Sequence, residues 1–372
     1  MDSYIASPEA LADLIAALRR EPLVGVDTEA ASFHKYRDRI YLLQFSSSQQ
    51  TAIVDPLAVP DLSPVGLLLA DPKVEKIFHD ADYDLRTLDR DYGFRPRNIF
   101  DTRIAAQLAG EPAIGLGALL EKYAGVKLAK AHQKADWSQR PLTPGMLAYA
   151  GDDTRHLATL RAALRERLTA LGRLPWAEEE FARLESLRWT PAGDGEEGFL
   201  RLKGAKQLPP RQLATLRELV RWRDGVAERE DKALFRIIGN EALLGVAKVQ
   251  PESPADLPRV PDLPASLARR HGPALLDAVR RARALREDDL PRVERVARGP
   301  KDPTFDERVE RLKATRNRIA TELALDPGVL CGRTTLEAVA RARPVDRAAL
   351  ARVDGVRRWQ IEVLGDALLA GL

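Results

Sequence analysis

The chain has 372 residues, 45% of them hydrophobic and 30% charged, an ordinary globular composition with room for two or three domains and a well-solvated surface. A single cysteine, Cys331, excludes an intramolecular disulfide framework, suits a reducing compartment and reads as a small buried apolar residue. The net charge of +3 conceals an imbalance, −6 over residues 1–200 and +9 over the rest. That split points to a metal-dependent site in the acidic front half and a polyanion contact in the basic back half. The first ten residues, MDSYIASPEA, have neither a basic start nor an apolar stretch, and no run approaches the ~18 apolar residues of a membrane span. A soluble, cytoplasmic protein without membrane contact is therefore expected.

Ser7-Pro8-Glu9 reads as a helix start, with Ser as cap and Pro in the first turn, and the helix runs to about Arg20. Residues 23–28 follow as a buried strand within LVGVDTE. Side chains at i and i+2 share one face of a strand, so Asp27 and Glu29 point the same way. Two acids there repel unless something neutralises them, and a divalent cation is the usual answer. Taken alone, D-x-E reads first as a strand end fraying into a polar loop, because the pattern is common; what changes that is where the next acids fall. Residues 41–45 and 52–55 are two further strands, forming an antiparallel meander with the first. Residues 76–79 make a fourth strand and 81–90 a helix. Asp80, Asp82 and Asp84 crowd that junction, where the helix dipole favours acids, so one or two of them serve as caps. His79 reads as a hydrogen-bonded structural histidine rather than a metal ligand. From Thr102 the pattern is helical with short breaks. Strands first and helices later argue for an α/β domain with a mixed sheet flanked by helices.

The segment 127–144, KLAKAHQKADWSQRPLTP, is basic and aperiodic. It reads either as a nucleic-acid contact or as a connector whose Trp137 packs into the core. On the first reading Lys130, His132, Gln133, Trp137 and Arg140 are the candidate substrate contacts. Thr143-Pro144 then caps a helix on which Tyr149 and Asp153 lie one turn apart on one face, with Asp152 turned about 100° towards solvent. Residues 173–205 form a boundary, with Glu178-Glu179-Glu180 opening a helix and 191–198 flexible by composition. Beyond lies a repeat at an offset of 93 residues, seen in Leu219/Leu312, Arg223/Arg316, Gly239/Gly332, Leu243/Leu336, Val246/Val339, Leu257/Leu350 and Gly272/Gly365. It marks two copies of one small helical domain, separated by 299–303. Neither copy holds an acidic cluster, so both read as binding modules.

Asp27, Glu29, Asp84 and Asp153, converging from separate elements, would hold two divalent cations about 4 Å apart, Mg²⁺ or Mn²⁺ by the oxygen-only donor set. Tyr149 stands where it would orient a water attacking a phosphodiester. In VGVDTE, HDADYDL and YAGDD, taken in order, the chain resembles the ribonuclease D family of DEDD exonucleases, in the subgroup with tyrosine in its third motif. RDRIYLLQFS, IFDTRIAAQLAG and DWSQRPL resemble that family's intervening segments, and the repeat resembles its tandem HRDC modules. The third motif departs by carrying Asp152 beside Asp153, and 231–236 lacks the Pro-Arg pair often found there.

The resemblance implies an RNase H-like exonuclease domain over 1–172, a linker helix and flexible stretch over 173–205, and all-α HRDC domains over 206–290 and 301–372. It implies 3′→5′ exoribonuclease activity that releases nucleoside 5′-monophosphates, with Asp27, Glu29, Asp84 and Asp153 as metal ligands and Tyr149 orienting water. RNA with a free 3′ end, notably tRNA precursors, is the implied partner, and self-association is not expected. The rival readings are a DNA exonuclease, since the chemistry does not need a 2′-hydroxyl, and a non-catalytic nucleic-acid-binding scaffold.

Overall fold

A computed structural model describes residues 3–129, 131–191, 198–293 and 302–372. Most of the stretch read as flexible, part of the separator between the repeats, and Lys130 lie outside the described residues. The chain divides into two compact units. One comprises Met1–Ala30, Ile40–Trp189 and Gly299–Leu372; the other comprises Ala31–Arg39 and Thr190–Arg298.

The first unit opens with β1 (Ser3–Ile5) and α1 (Pro8–Leu18), where Ser7 accepts from the Ala10 N–H as the expected cap. Next come β2 (Leu23–Ala30), β3 (Ile40–Ser46), β4 (Thr51–Val54), α2 (Ser63–Ala70), β5 (Glu75–Phe78), α3 (Asp82–Tyr92) and β6 (Ile99–Asp101). The helices α4 (Thr102–Leu108), α5 (Leu116–Ala124), α6 (Pro144–Arg155), α7 (Leu157–Ala170) and α8 (Leu174–Leu184) follow. The strands form one mixed sheet in the order β1-β4-β3-β2-β5-β6. The meander β2-β3-β4 is antiparallel, while β1, β5 and β6 join it in parallel.

Strand periodicity sorts the side chains of this sheet. Val24, Val26, Leu43 and Phe45 project into a core with Leu11, Leu14 and Leu18 of α1, Val65 and Leu68 of α2, and Leu85 and Leu88 of α3. The opposite face of β2 carries Leu23, Gly25, Asp27 and Glu29 and lies under α6 and α7. Gly25 is needed there because a Cβ would stand 2.8 Å from the Thr154 carbonyl oxygen and 3.4 Å from Leu157. The absence of that one carbon lets the end of α6 approach the acidic strand.

The two repeats fold alike. The first holds α9 (Pro210–Glu230), α10 (Leu234–Ile237), α11 (Asn240–Val249) and α12 (Ala265–Arg283). The second holds α13 (Phe305–Glu322), α14 (Pro327–Leu330), α15 (Arg333–Ala342), α16 (Arg347–Leu350) and α17 (Arg358–Ala370). The starts of α10, α11, a 3-10 turn at Pro254–Arg259 and α12 recur 93 residues later in α14, α15, α16 and α17, while α13 begins 95 residues after α9. Left-handed residues recur as well, at Asp231 and Ala324 and at Gln250 and Arg343. The copies differ in what they pack against. The first closes its own core around Leu216, Leu219, Leu243 and Leu275. The second shares a core with α4, α5, α7 and α8. Trp359 stacks on Trp176 at 5.0 Å, and Arg357 and the Trp359 indole N–H both reach Glu180.

Glu178-Glu179-Glu180 sits inside α8 rather than at its start. Glu179 accepts from the backbone N–H groups of Arg358 and Trp359 and so caps α17, while Glu178 pairs with Arg165 and Glu180 with the Arg357 and Trp359 side chains.

Candidate active site

Asp27 and Glu29 stand on β2 and Asp153 on α6, and one carboxylate oxygen from each lies within 4.8 Å of the others. All three are half-buried, sunk between sheet and helix yet reachable from solvent. Among the described residues no basic side chain pairs with any of them. Burial, with the charge of Asp153, pushes the Asp27 carboxyl up to about 8. Burial and Asp152 push Asp153 up to about 7. Glu29 is raised well above its ordinary value by burial and by Asp27, Asp153 and Asp84. Without a positive counter-charge, burial and mutual repulsion both favour the protonated forms of this knot.

Asp84 lies just outside the knot. It is buried at the first turn of α3, where its Oδ1 accepts from the Thr28 hydroxyl. Burial and Asp27 raise it well above the carboxylate range. Its place is set by Asp101, the cap of α4, which accepts from the N–H groups of Ala81, Arg103 and Ile104 at 2.7, 2.8 and 3.0 Å. The two companion acids act locally: left-handed Asp80 pairs with Arg103, and Asp82 with Arg86 one turn on. His79 bonds Thr102 at 2.9 Å, as a structural histidine would, and burial pushes its imidazole down to about 4.

Tyr149 hydrogen-bonds Asp153 from one turn earlier, and burial together with Asp153, Glu29 and Asp27 raises its phenol above the usual value. Its ring is flanked by His132 at 6.0 Å, edge-on, and by Trp137 at 6.1 Å. Asp152 pairs with Arg155 at 3.1 Å and does not enter the knot.

The basic loop is where the sequence reading needs correction. Trp137, expected as a substrate contact, is 1% exposed and offers no open face on which a base could stack. Arg140, expected to meet substrate, is committed within the protein. It donates to both oxygens of Asp55 at 2.6 and 2.8 Å and to the carbonyls of Trp137, Gln139 and Tyr41. Its guanidinium clips the loop to neighbouring ends of β3 and β4, and Trp137 lies beside Tyr149. Of the other candidates, Gln133 is exposed, His132 faces Tyr149, and Lys130 lies outside the described residues. Sequence reasoning missed Thr28, Asp55 and Asp101. Only Asp101 left a signal, an acid immediately before a helix.

Comparison with known proteins identifies the family. A 3'-5' exonuclease family model matches residues 3–169, and an HRDC domain model matches 212–279 and 305–372. Ribonuclease D of Gluconacetobacter diazotrophicus is 33% identical over 98% of this chain and 91% of its own length. The crystal structure of Escherichia coli RNase D, described as an exoribonuclease involved in structured RNA processing, is 28% identical with a TM-score of 0.73, covering 100% of this chain and 98% of that one. A Bifidobacterium adolescentis protein, 23% identical with a TM-score of 0.82 over 99% and 96% of the two chains, shares the fold. With an exonuclease region, two HRDC regions in order and a third of its residues shared with a named relative along almost the whole length, the chain belongs to the ribonuclease D family of 3′-5′ exoribonucleases.

Proposed function

We propose that the chain shortens RNA from its 3′ end by two-metal hydrolysis, releasing nucleoside 5′-monophosphates, with structured RNAs such as tRNA precursors among its substrates. The observation that carries this reading is the knot of Asp27, Glu29 and Asp153, three carboxylates with no basic partner among the described residues and with Tyr149 bonded to one of them. An acidic, all-oxygen donor set suits a hard divalent cation, Mg²⁺ or Mn²⁺, and the nearby imidazole of His79 is occupied by Thr102. Asp27, Glu29, Asp84 and Asp153 would hold the two ions, which when bound lower the pKa of the attacking water and stabilise charge on the departing 3′ oxygen. Burial and the neighbouring carboxylates raise the Tyr149 phenol. From its place one turn before Asp153 it would orient the attacking water through a hydrogen bond.

In this reading residues 1–172 carry the chemistry, 173–205 link, and the HRDC domains at 206–290 and 301–372 hold RNA. The +9 balance beyond residue 200 supports that role through salt-sensitive phosphate contacts. The protein works as a single chain in the cytoplasm. The description of the E. coli relative supports structured RNA as the substrate class. Matched RNA and DNA oligomers with free or blocked 3′ ends test the proposal. Mononucleotide release from free-ended RNA, faster than from DNA and dependent on Mg²⁺ or Mn²⁺, is expected. Equal rates on DNA, or cleavage of blocked ends, would overturn it.

A further inference from the structure

Gln44, in the middle of β3, lies directly opposite Asp27 of β2. Directly opposed residues of an antiparallel pair project from the same face, with Cβ atoms about 5 Å apart. The face is fixed independently by Ser46, two residues further along β3, whose hydroxyl bonds Thr154 of α6 at 2.7 Å. The Gln44 amide therefore lies under the helix that carries Tyr149 and Asp153, beside Asp27. It is 0% exposed, and neither its Oε1 nor its Nε2 has a hydrogen-bond partner among the described residues. Ser46, the nearest polar side chain along the strand, is already bonded to Thr51 and Thr154.

A buried amide without partners is costly, and an apolar residue of similar volume would fill the space without that cost. Packing alone gives no reason for glutamine here. A carboxylate that offers one oxygen to a cation keeps lone pairs that can accept, and outer donors commonly fix the orientation of such ligands. We propose that Gln44 is a positioning residue of the metal centre, its Nε2 donating to the Asp27 carboxylate when Asp27 ligates a cation. The inference rests on the reading of Asp27 as a ligand. It adds that the fully buried amide opposite Asp27 serves the cation-bound form and not the fold.

Calorimetric titration of the full chain with Mn²⁺, for the wild type, Gln44→Leu, Gln44→Met and Asp27→Asn, tests this alongside melting temperatures in chelator. Both Gln44 variants are expected to bind Mn²⁺ about 10–100-fold more weakly and to melt in chelator at or above the wild-type temperature. Wild-type Mn²⁺ affinity in either variant overturns the assignment. A lower melting temperature for both in chelator also overturns it, because the amide would then serve the fold. If wild type and Asp27→Asn bind Mn²⁺ equally, the reading of Asp27 itself fails, and this inference falls with it.

Discussion

Asp55 and the trio Asp27, Glu29 and Asp153 are carboxylates sunk into the same α/β unit, yet their surroundings are opposite. Burial alone would raise Asp55, but hydrogen bonds from Arg140 and Tyr4 more than offset it and hold the carboxyl below its ordinary value. Glu111 is treated in the same way by Lys122 and Tyr123. In the trio, burial acts together with mutual repulsion, and the carboxyls are driven upward. The chain thus supplies its own cations to buried acids in two places and withholds them in a third. Where they are withheld, a counter-charge would have to come from solution, which is why the third place is proposed as the metal site and the others act as joints.

This contrast can be broken by substitution. Asp27→Asn should reduce hydrolysis by about three orders of magnitude, since charge stabilisation at the reacting phosphate is lost, as followed by mononucleotide release. The same variant should be no less stable than wild type in chelator, because it removes a repelling buried acid. Arg140→Met should do the reverse. It leaves Asp55 buried without its cation and should cost about 3 kcal/mol of stability, measured by denaturant unfolding. Tyr149→Phe should lower kcat by about a hundredfold while leaving Mn²⁺ affinity at the wild-type level, as single-turnover kinetics and calorimetry would show.

The smallest effect is on pH dependence. The trio's folded pKa values lie above the unfolded ones, so the folded state binds more protons between them. The stability of the metal-free protein should therefore fall as pH rises from about 4 towards 8. For Asp55 the shift is downward, so its contribution is present above the unfolded pKa and is lost in acid as pH falls below about 4. Melting temperatures across pH in chelator should show the first slope, and saturating Mn²⁺ should flatten it. A slope that Mn²⁺ leaves untouched would remove the distinction between the two kinds of acid.

Much of this was legible in the chain because its signals are local. The strands from β2 to β5 follow from apolar runs, and the 93-residue offset relates the helix starts of the two repeats after their first helices. Asp27 and Glu29 share a face by strand period alone, and Tyr149 and Asp153 by helix period. What stayed hidden was non-local. β1 and β6 are three residues long, too short for alternation to show, and exist through partners about fifty and twenty-five residues away. Arg140 and Asp55 are separated by 85 residues, and nothing at either position announces the other. Trp137 stands among charged residues, a pattern shared by a rim aromatic and a core one, and only the Arg140 clip decides between them. Glu179 and Glu180 look like the acids of a helix start, but the partners that matter are α17 backbone and the Arg357 and Trp359 side chains, about 180 residues away.

The most direct test is anomalous diffraction from crystals soaked with Mn²⁺ and a nucleoside 5′-monophosphate. Two peaks within about 2 Å of oxygens from Asp27, Glu29, Asp84 and Asp153, with the Tyr149 hydroxyl turned towards the phosphate, are the predicted result. Manganese bound elsewhere, or the trio closed by a lysine or arginine of the chain, would contradict the account.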